Sequence, residues 1–345
     1  NFRDHRWDGN NWFLLQMVHK SGQQGALATG NYWGQATADQ GTAFMRDELT
    51  QTFGAEAGAE SQAARPCVVF VNGEYWGLHY LKEKEDAEFV AYYADHPADD
   101  LDYLEGYASP RAGDLAHYQA MIDFIGTHPL AVATNYAVVQ SRMEVASYID
   151  YKANEIFFYR WDIGNHRLWR PRTPEGRWRW LQFDNDVSWG GFWAEQPAWG
   201  FNMLAADLTP SGSLHDHNNE TTTFLLRHLM ESPEFRRDFI NRFQDLLNTL
   251  FLPSHTLARV DQLAAQLQPE MSEHTRRWRA PGTMADWLNN IAYLRSYATN
   301  RPTWARQQLR DWFGLKAPCR FSVSVQPENA GRVRLNSLEL APSTN

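Results

Sequence analysis

An Asn-Gly pair between two apolar runs constrains the local fold of this chain more than any other feature. Asn72-Gly73 separates residues 68–71 from residues 75–81. Both central residues of a type I′ turn need a positive φ, which Asn and Gly adopt more readily than other residues. The sequence therefore predicts a β-hairpin in which residues 68–71 and 78–82 are paired antiparallel strands.

Three charged residues end this hairpin. Side chains alternate between the two faces of a strand, so Lys82 and Lys84 share one face and Glu83 lies on the other. A lysine at this place can contact a nucleotide phosphate as a point charge. A solvated strand end is the alternative interpretation, because runs of charge usually face water.

Asp162, Asn165, Asp184 and Asp186 form the densest polar pattern in the chain. Asp184 and Asp186 are two apart on a predicted strand and point to one face, and such a pair favours a bound cation such as Mg²⁺. Asp162 can orient or deprotonate an acceptor, and Asn165 can add an amide oxygen to the metal. The pattern is typical of metal-dependent phosphoryl transfer. The structural alternatives are turns, a helix cap and carboxylates paired with arginine.

Several segments, in this order along the chain, resemble the CotH kinase family, the spore-coat protein H type of atypical kinase. The hairpin resembles the family pattern V-x-V-N-G-x-Y-x-G-x-Y-x-L-x-E, and residues 183–190 resemble its W-D-x-D-x-T-F-G strand. Further similar segments are Phe44-Met45-Arg46-Asp47, Tyr148-Ile149-Asp150-Tyr151 with Asn154, Trp161-Asp162, Asn165-His166-Arg167-Leu168-Trp169-Arg170, and Ser232-Pro233-Glu234-Phe235 with Arg242 and Phe243. The resemblance spans roughly residues 40 to 315.

The resemblance implies an α+β, atypical protein-kinase-like fold with two lobes. Residues 1–317 would form the kinase domain, with a β-rich N-lobe over about residues 1–110 and a helical C-lobe over about residues 111–317. After Pro318 the sequence alternates at residues 320–325 and again at residues 333–335, which predicts the start of a small β module over residues 318–345.

The resemblance also implies an ATP-dependent phosphotransferase that uses Mg²⁺ or Mn²⁺. Asp184 would be the principal metal ligand, assisted by Asp186 and Asn165, and Asp162 would act on the acceptor. Glu83 matches a recurrent glutamate of the family and would order a phosphate-binding cation. Candidates for that cation are Lys82, Lys84, Arg3 and Arg46.

One interval departs from the family pattern. Asp162 and Asn165 are three residues apart, whereas the corresponding pair is five apart in protein kinases and similarly spaced in the family. A shortened loop is the simplest account. It favours a second hypothesis, a catalytically inactive pseudokinase or surface-binding module of a secreted multidomain protein.

Composition excludes some classes and leaves a third hypothesis open. The net charge of −9 argues against nucleic-acid binding, and no apolar run is long enough for a membrane span. The chain holds 15 Trp, 14 Tyr and 19 Phe, so an aromatic-rich carbohydrate-binding protein with structural Ca²⁺ is an alternative, although large aromatics mostly fill cores. The expected partners are a nucleotide and a protein acceptor on a cell surface or in secreted material, with an extracellular or surface location. The first residues read as the middle of a strand, so the polypeptide is expected to begin earlier.

Apolar spacing and breakers locate the helices. A helix is predicted from near Thr42 to Gly54, where glycine would end it, and others over residues 86–93, 118–127 and 148–159. Residues 221–315 read as dominantly helical, and residues 167–170 and 178–183 as strands.

Overall fold

A computed structural model gives the fold of this chain. It describes residues 43–106, 109–161, 163–190, 197–209, 220–279, 281–319, 322–327 and 330–340, together with the backbone of a first strand, β1, at Phe13–Met17.

The predicted hairpin forms two of the three strands of the first sheet. Strands β2 (Ala64–Val71) and β3 (Glu74–Glu83) are antiparallel, and β1 pairs with the other edge of β3. Asn72 and Gly73 have φ values of 52° and 84°, as a type I′ turn requires. Val68 pairs with Leu78 in this register, so the predicted strand pairing is confirmed.

Helix α1 (Arg46–Ala57) precedes β2 and ends later than predicted. Gly58, not Gly54, takes the left-handed conformation with φ 101° and closes the helix through its backbone N–H. Gly54 lies inside the helix, where a Cβ would stand 2.7 Å from Gln182 Cγ and 2.9 Å from Ser61 Oγ. The prediction that the helix stops at Gly54 was wrong, because this glycine permits close packing instead of forming a cap.

A second antiparallel sheet follows helix α2 (Ala87–Ala94). Its strands are β4 (Leu101–Glu105), β5 (Ser109–Ala112), β6 (Arg167–Pro171) and β7 (Arg179–Leu181), in the order β5-β4-β6-β7. A small buried cluster packs α2 on this sheet through Val90, Leu101, Tyr103, Trp169 and Leu181. Asp86 caps α2, since its carboxylate accepts from Phe89 N at 3.1 Å.

Helices make up most of the remaining described chain, which confirms the α+β class. They are α3 (Ala116–Thr127), α4 (Ala133–Arg142), α5 (Val145–Phe157), α6 (Met203–Leu208), α7 (Glu220–Leu229), α8 (Pro233–Leu247), α9 (Pro253–Trp278) and α10 (Met284–Phe313). No described helix has the length and apolar composition needed to cross a membrane.

The C-terminal residues form a short hairpin that contacts α8. Strands β8 (Val333–Leu335) and β9 (Leu338–Leu340) pair with each other, whereas residues 322–325 are not in a strand, contrary to the alternation of their sequence. The described residues place no pairing strand beside 322–325, and alternation without a partner does not make a strand. Buried Asp245 of α8 accepts from Ser337 N at 2.8 Å.

Aromatic side chains fill the main core. Trp178, Trp180, Trp189 and Trp287 are almost completely buried. The burial of these tryptophans favours the core interpretation of the aromatic content over carbohydrate binding for these four residues.

Helix α9 holds the hairpin through its last turn. Leu78 N donates to His274 Nδ1 at 3.0 Å, and Trp278 Nε1 donates to Trp76 O at 2.7 Å. Gly77, with φ 109°, lies against both rings, because a Cβ there would be 2.8 Å from His274 Nδ1 and from Trp278 Nε1. Glycine at this position therefore allows the hairpin to contact α9.

We predict that Gly77→Ala destabilises the fold more than Gly73→Ala. Both glycines have positive φ, so each substitution costs about 1 kcal/mol of backbone strain. A Cβ at Gly73 has nothing within 4 Å, whereas at Gly77 it clashes with α9 and adds about 1–3 kcal/mol. Urea unfolding of the two variants measures the difference, and equal losses would show that the contact with α9 contributes nothing.

Candidate functional site

A cavity of about 290 Å³ opens where the hairpin ends and β7 leads into the acidic segment. Asp184 lines it, and so do the cations Lys84, Arg111 and Arg167. Its other lining residues are Asp47, Gln62, Glu85, Asp86, Tyr103, Glu105 and Phe183. Cations and carboxylates therefore line one cavity that is open to solvent.

Asp184 has an unusual backbone. Strand β7 ends at Leu181, and Asp184 adopts φ 56°, a left-handed conformation that Asp tolerates better than most residues. Asn165 Nδ2 lies 3.3 Å from Asp184 Oδ2, so the structure brings these two predicted metal ligands together. The argument that Asp184 and Asp186 share a face of a strand was wrong, because neither residue is in a strand.

Asp186 lies in a different environment. It is buried, does not line the cavity, and interacts electrostatically with Arg46, which is also buried. Burial lowers the pKa of Arg46 to about 10, although Tyr293 and Asp186 oppose the change. The role of Asp186 as an assisting metal ligand stays a prediction.

Asp162 falls outside the described residues, so the predicted convergence of Asp162 with Asp184 stays a prediction. Its neighbour in the sequence is placed, however. Trp161 N donates to Val187 O at 3.2 Å, which joins the chain before Asp162 to the chain after Asp184. Among the described residues, no group of three or more His, Cys, Asp or Glu side chains is arranged to hold a metal ion.

Lys82 is buried in an ion-pair cluster with the first turn of α1. Its ammonium bonds to Asp47, and its Nζ lies 2.7 Å from Glu48 Oε1. Asp47 also accepts from Asn185 N at 3.0 Å, so one carboxylate links β3, α1 and the residue that follows Asp184. Lys82 does not line the cavity, and Asp47 does. Lys82 therefore positions a carboxylate of the site. Its proposed contact with a nucleotide phosphate stays a prediction.

The three charges of this cluster differ in their pKa. Burial opposes ionisation of Asp47, but Lys82 outweighs it and keeps the pKa of Asp47 below its usual value. Burial also dominates at Glu48 and raises its pKa to about 7, in spite of Lys82. The two carboxylates outweigh burial at Lys82 and raise the pKa of its ammonium. Lys82 and Asp47 are thus charged at neutral pH, and Glu48 titrates there.

Glu83 and Lys84 have separate surroundings. The buried Glu83 carboxylate accepts from Ala63 N at 2.8 Å and from the Tyr93 hydroxyl. Lys84 follows β3, is 56% exposed, and pairs with Asp86 at 2.9 Å. Asp47 and Glu48 are the carboxylates that hold Lys82 in the described structure. The proposed role of Glu83 in ordering a phosphate-binding cation stays a prediction.

Glu85, which is buried, follows the hairpin and lines the same cavity. Burial raises its pKa well above the usual value, and Asp47 and Asp184 add to the rise while Arg167 opposes it. Glu85 is thus a carboxyl of the cavity that the sequence pattern did not suggest.

Of the three cations that line the cavity, the sequence predicted Lys84 and missed Arg111 and Arg167. Arg111 Nε lies 2.9 Å from Glu105 Oε2, and Arg167 Nη2 lies 3.5 Å from the same oxygen. Arg167 also covers the ring of Phe183, with its Cζ 3.6 Å from the ring centroid. The segment that contains Arg167 resembles the CotH kinase family. Arg111 lies on β5, in a segment with no such resemblance.

A comparison with protein families identifies the family of this chain. The family model described as "CotH kinase protein" matches residues 35–305, which is well over half of the chain. The protein therefore belongs to the CotH kinase family, and the family suggests an atypical kinase-like function. A comparison with curated proteins gives no match.

We predict that Glu48 makes the stability of the protein depend on pH. Its folded pKa of about 7 lies above its ordinary value of 4.5, so its contribution is full below about pH 4.5 and is lost as pH rises to about 7. Glu48→Gln should remove this loss. The free energy of unfolding, measured by urea titration between pH 4.5 and 8, should therefore fall more steeply with pH in the wild type than in the variant.

An exposed glutamate provides the control for this experiment. Glu74→Gln, at the hairpin turn, makes the same chemical change without a buried partner and should keep the wild-type slope. Parallel pH profiles for Glu48→Gln and the wild type would contradict the prediction.

Proposed function

We propose that this protein is an ATP- and Mg²⁺-dependent phosphotransferase that acts on surface or secreted proteins. One observation carries the proposal: Asp184, beside Asn165, faces a cavity that also holds Lys84, Arg111 and Arg167. Phosphoryl transfer depends mainly on positioning and charge neutralisation, and this cavity has both a metal-binding type of group and cations for phosphate oxygens. Membership of the CotH kinase family supports the same reaction class.

The donor set fits magnesium. Mg²⁺ is usually held by one or two carboxylates together with substrate phosphates, and it keeps several waters. The carboxylate of Asp184 and the amide oxygen of Asn165 are hard oxygen ligands of this kind, and Asp186 would assist them. This mode of binding does not need a protein cluster of three or more ligands. The metal held by these residues would supply neutralisation of the phosphate charge.

The chain's own residues would then perform separate tasks. Lys84, Arg111 and Arg167 would bind phosphate oxygens, and Glu105 would orient the two arginines when no nucleotide is present. Asp162 would orient or deprotonate the acceptor hydroxyl, as a general base does. In this proposal the β1–β3 sheet belongs to an N-lobe and the helices from α3 onward to a C-lobe.

A pseudokinase that binds nucleotide without transfer is the second candidate. The interval of three residues between Asp162 and Asn165 favours it, because a shortened loop changes where the acceptor-orienting carboxylate stands relative to the metal. Both candidates predict binding of ATP with Mg²⁺, and only the first predicts turnover.

We predict that Asp184→Asn lowers phosphate transfer from labelled ATP by orders of magnitude. Asn tolerates a positive φ as Asp does, so the substitution removes the charge and keeps the backbone conformation. The increase in thermal stability that millimolar Mg²⁺ gives in the presence of ATP should disappear as well, since that increase reflects binding to the folded state. Transfer and melting temperature are measured on the same preparations.

Asp95 provides a matched control for this substitution. It also has a left-handed backbone, with φ 52°, but it lies exposed at the end of α2. Asp95→Asn should keep wild-type transfer and stabilisation. Wild-type protein that binds ATP with Mg²⁺ but shows no transfer, hydrolysis or autophosphorylation would establish the pseudokinase, and a protein that shows no binding would contradict both candidates.

A further inference from the structure

Four buried charges lie beneath the candidate site and have no place in the reaction described above. Lys152 and Glu155 lie on α5, Arg160 follows that helix, and Asp207 lies on α6. Lys152 Nζ is 3.0 Å from Glu155 Oε2 and 2.7 Å from Asp207 Oδ2, and Arg160 bonds to Glu155 Oε1. The group contains two cations and two carboxylates, so it is balanced in charge.

Arg160 extends this group to the candidate site. Its guanidinium is fully buried, and Nη2 donates to the carbonyl of Phe183 at 2.7 Å. Nη1 bonds to Glu155 and to the Tyr151 hydroxyl, the latter at 3.1 Å. One planar side chain thus joins α5 to the peptide that directly precedes Asp184.

The peptide that follows Asp184 is fixed from another direction. Asn185 N donates to Asp47 Oδ1 at 3.0 Å, and Asp47 is held by Lys82. Asp184 therefore lies between two anchored peptides while it adopts a positive φ. A left-handed conformation of a residue other than Gly persists where the surrounding contacts determine it.

We propose that Arg160 is a positioning residue that holds the carboxylate of Asp184 in its metal-binding place through the Phe183 carbonyl. The inference rests on the proposed function for the consequence in transfer, but the positioning itself is a property of the fold. Glu155 neutralises the charge of Arg160, and Asp207 neutralises the charge of Lys152. Removal of one member of a buried pair leaves an uncompensated charge, so single substitutions would confuse positioning with folding.

Two double variants, each neutral in charge, separate these effects. Arg160→Gln with Glu155→Gln removes the half of the group that contacts Phe183. Lys152→Met with Asp207→Asn removes the other half and leaves the Arg160–Glu155 pair in place. Each variant takes away one cation and one carboxylate, so both are expected to lose stability, and the second is the matched control for the first.

Mg²⁺ dependence and local hydrogen exchange distinguish a positioning role of Arg160 from a general loss of stability. In the Arg160/Glu155 variant we expect transfer to fall about a hundredfold, as for a misplacement of about 1 Å, and the Mg²⁺ concentration for half-maximal rate to rise. Hydrogen exchange of the backbone amides at 185, 188 and 189 should become faster than in the Lys152/Asp207 variant. In that control, the melting temperature should fall without a change in Mg²⁺ dependence.

A milder substitution keeps the test valid if the first double variant does not fold. Arg160→Lys retains the charge beside Glu155, but one ammonium cannot reproduce the fork that contacts Tyr151, Glu155 and Phe183 together. It should raise the Mg²⁺ requirement and accelerate exchange at residue 185 in a folded protein.

The possible outcomes are distinct. Equal Mg²⁺ dependence and equal exchange in the two double variants, or unchanged values in Arg160→Lys, would overturn the positioning role. Wild-type protein with no transfer and no binding of ATP with Mg²⁺ would instead refute the proposed function, and the exchange of the amides around Asp184 would still decide the role of Arg160.

Discussion

The carboxylate of Asp47 is the contact on which the arrangement of the candidate site depends. It accepts from the ammonium of Lys82 on β3 and from the backbone of Asn185, and it belongs to the first turn of α1. Three parts of the chain that are far apart in sequence therefore meet at two oxygen atoms. Because Asp47 is buried, its charge is tolerable only while Lys82 is present, so the hairpin and the acidic segment are held in place together.

Buried charge is used in two separate places around Asp184. One group consists of Lys82, Asp47 and Glu48, and the other of Arg160, Glu155, Lys152 and Asp207. Buried ion pairs are expensive to desolvate and add little net stability compared with apolar packing. Their directional hydrogen bonds do fix geometry. In this protein Arg160 bonds to the peptide before Asp184, and Asp47 bonds to the peptide after it. These two groups therefore contribute more to the position of Asp184 than to the stability of the protein.

The sequence predicted those features that depend on local chemistry. The hairpin followed from Asn72-Gly73, because a type I′ turn needs residues that accept positive φ. The pairing of Asn165 with Asp184 and the family of the fold were also predicted from motifs in the right order. The turn is local because its residues are adjacent in the chain, whereas Asn165 and Asp184 are 19 residues apart and were linked only through the family pattern.

Contacts between distant residues could not be predicted in the same way. Nothing in the sequence around Glu48 or Arg160 shows that one meets Lys82 and the other meets Phe183. The left-handed backbone of Asp184 was missed for a related reason. A strand pattern predicts alternating faces, but tertiary contacts on either side of Asp184 override the strand and turn its carboxylate toward the cavity.

The same scaffold serves both candidate functions, which explains where they differ. Metal binding requires Asp184 in position, and its two anchored peptides provide this without any contribution from the acceptor. In the proposed function, transfer requires in addition a carboxylate that orients the acceptor, and the interval from Asp162 to Asn165 bears on that carboxylate and on the metal role of Asn165. The contacts of Asp47 and Arg160 are made with Lys82, Asn185, Glu155 and Phe183, none of which lies between Asp162 and Asn165. In the proposed pseudokinase, the Asp47 and Arg160 contacts would therefore still hold the two peptides next to Asp184.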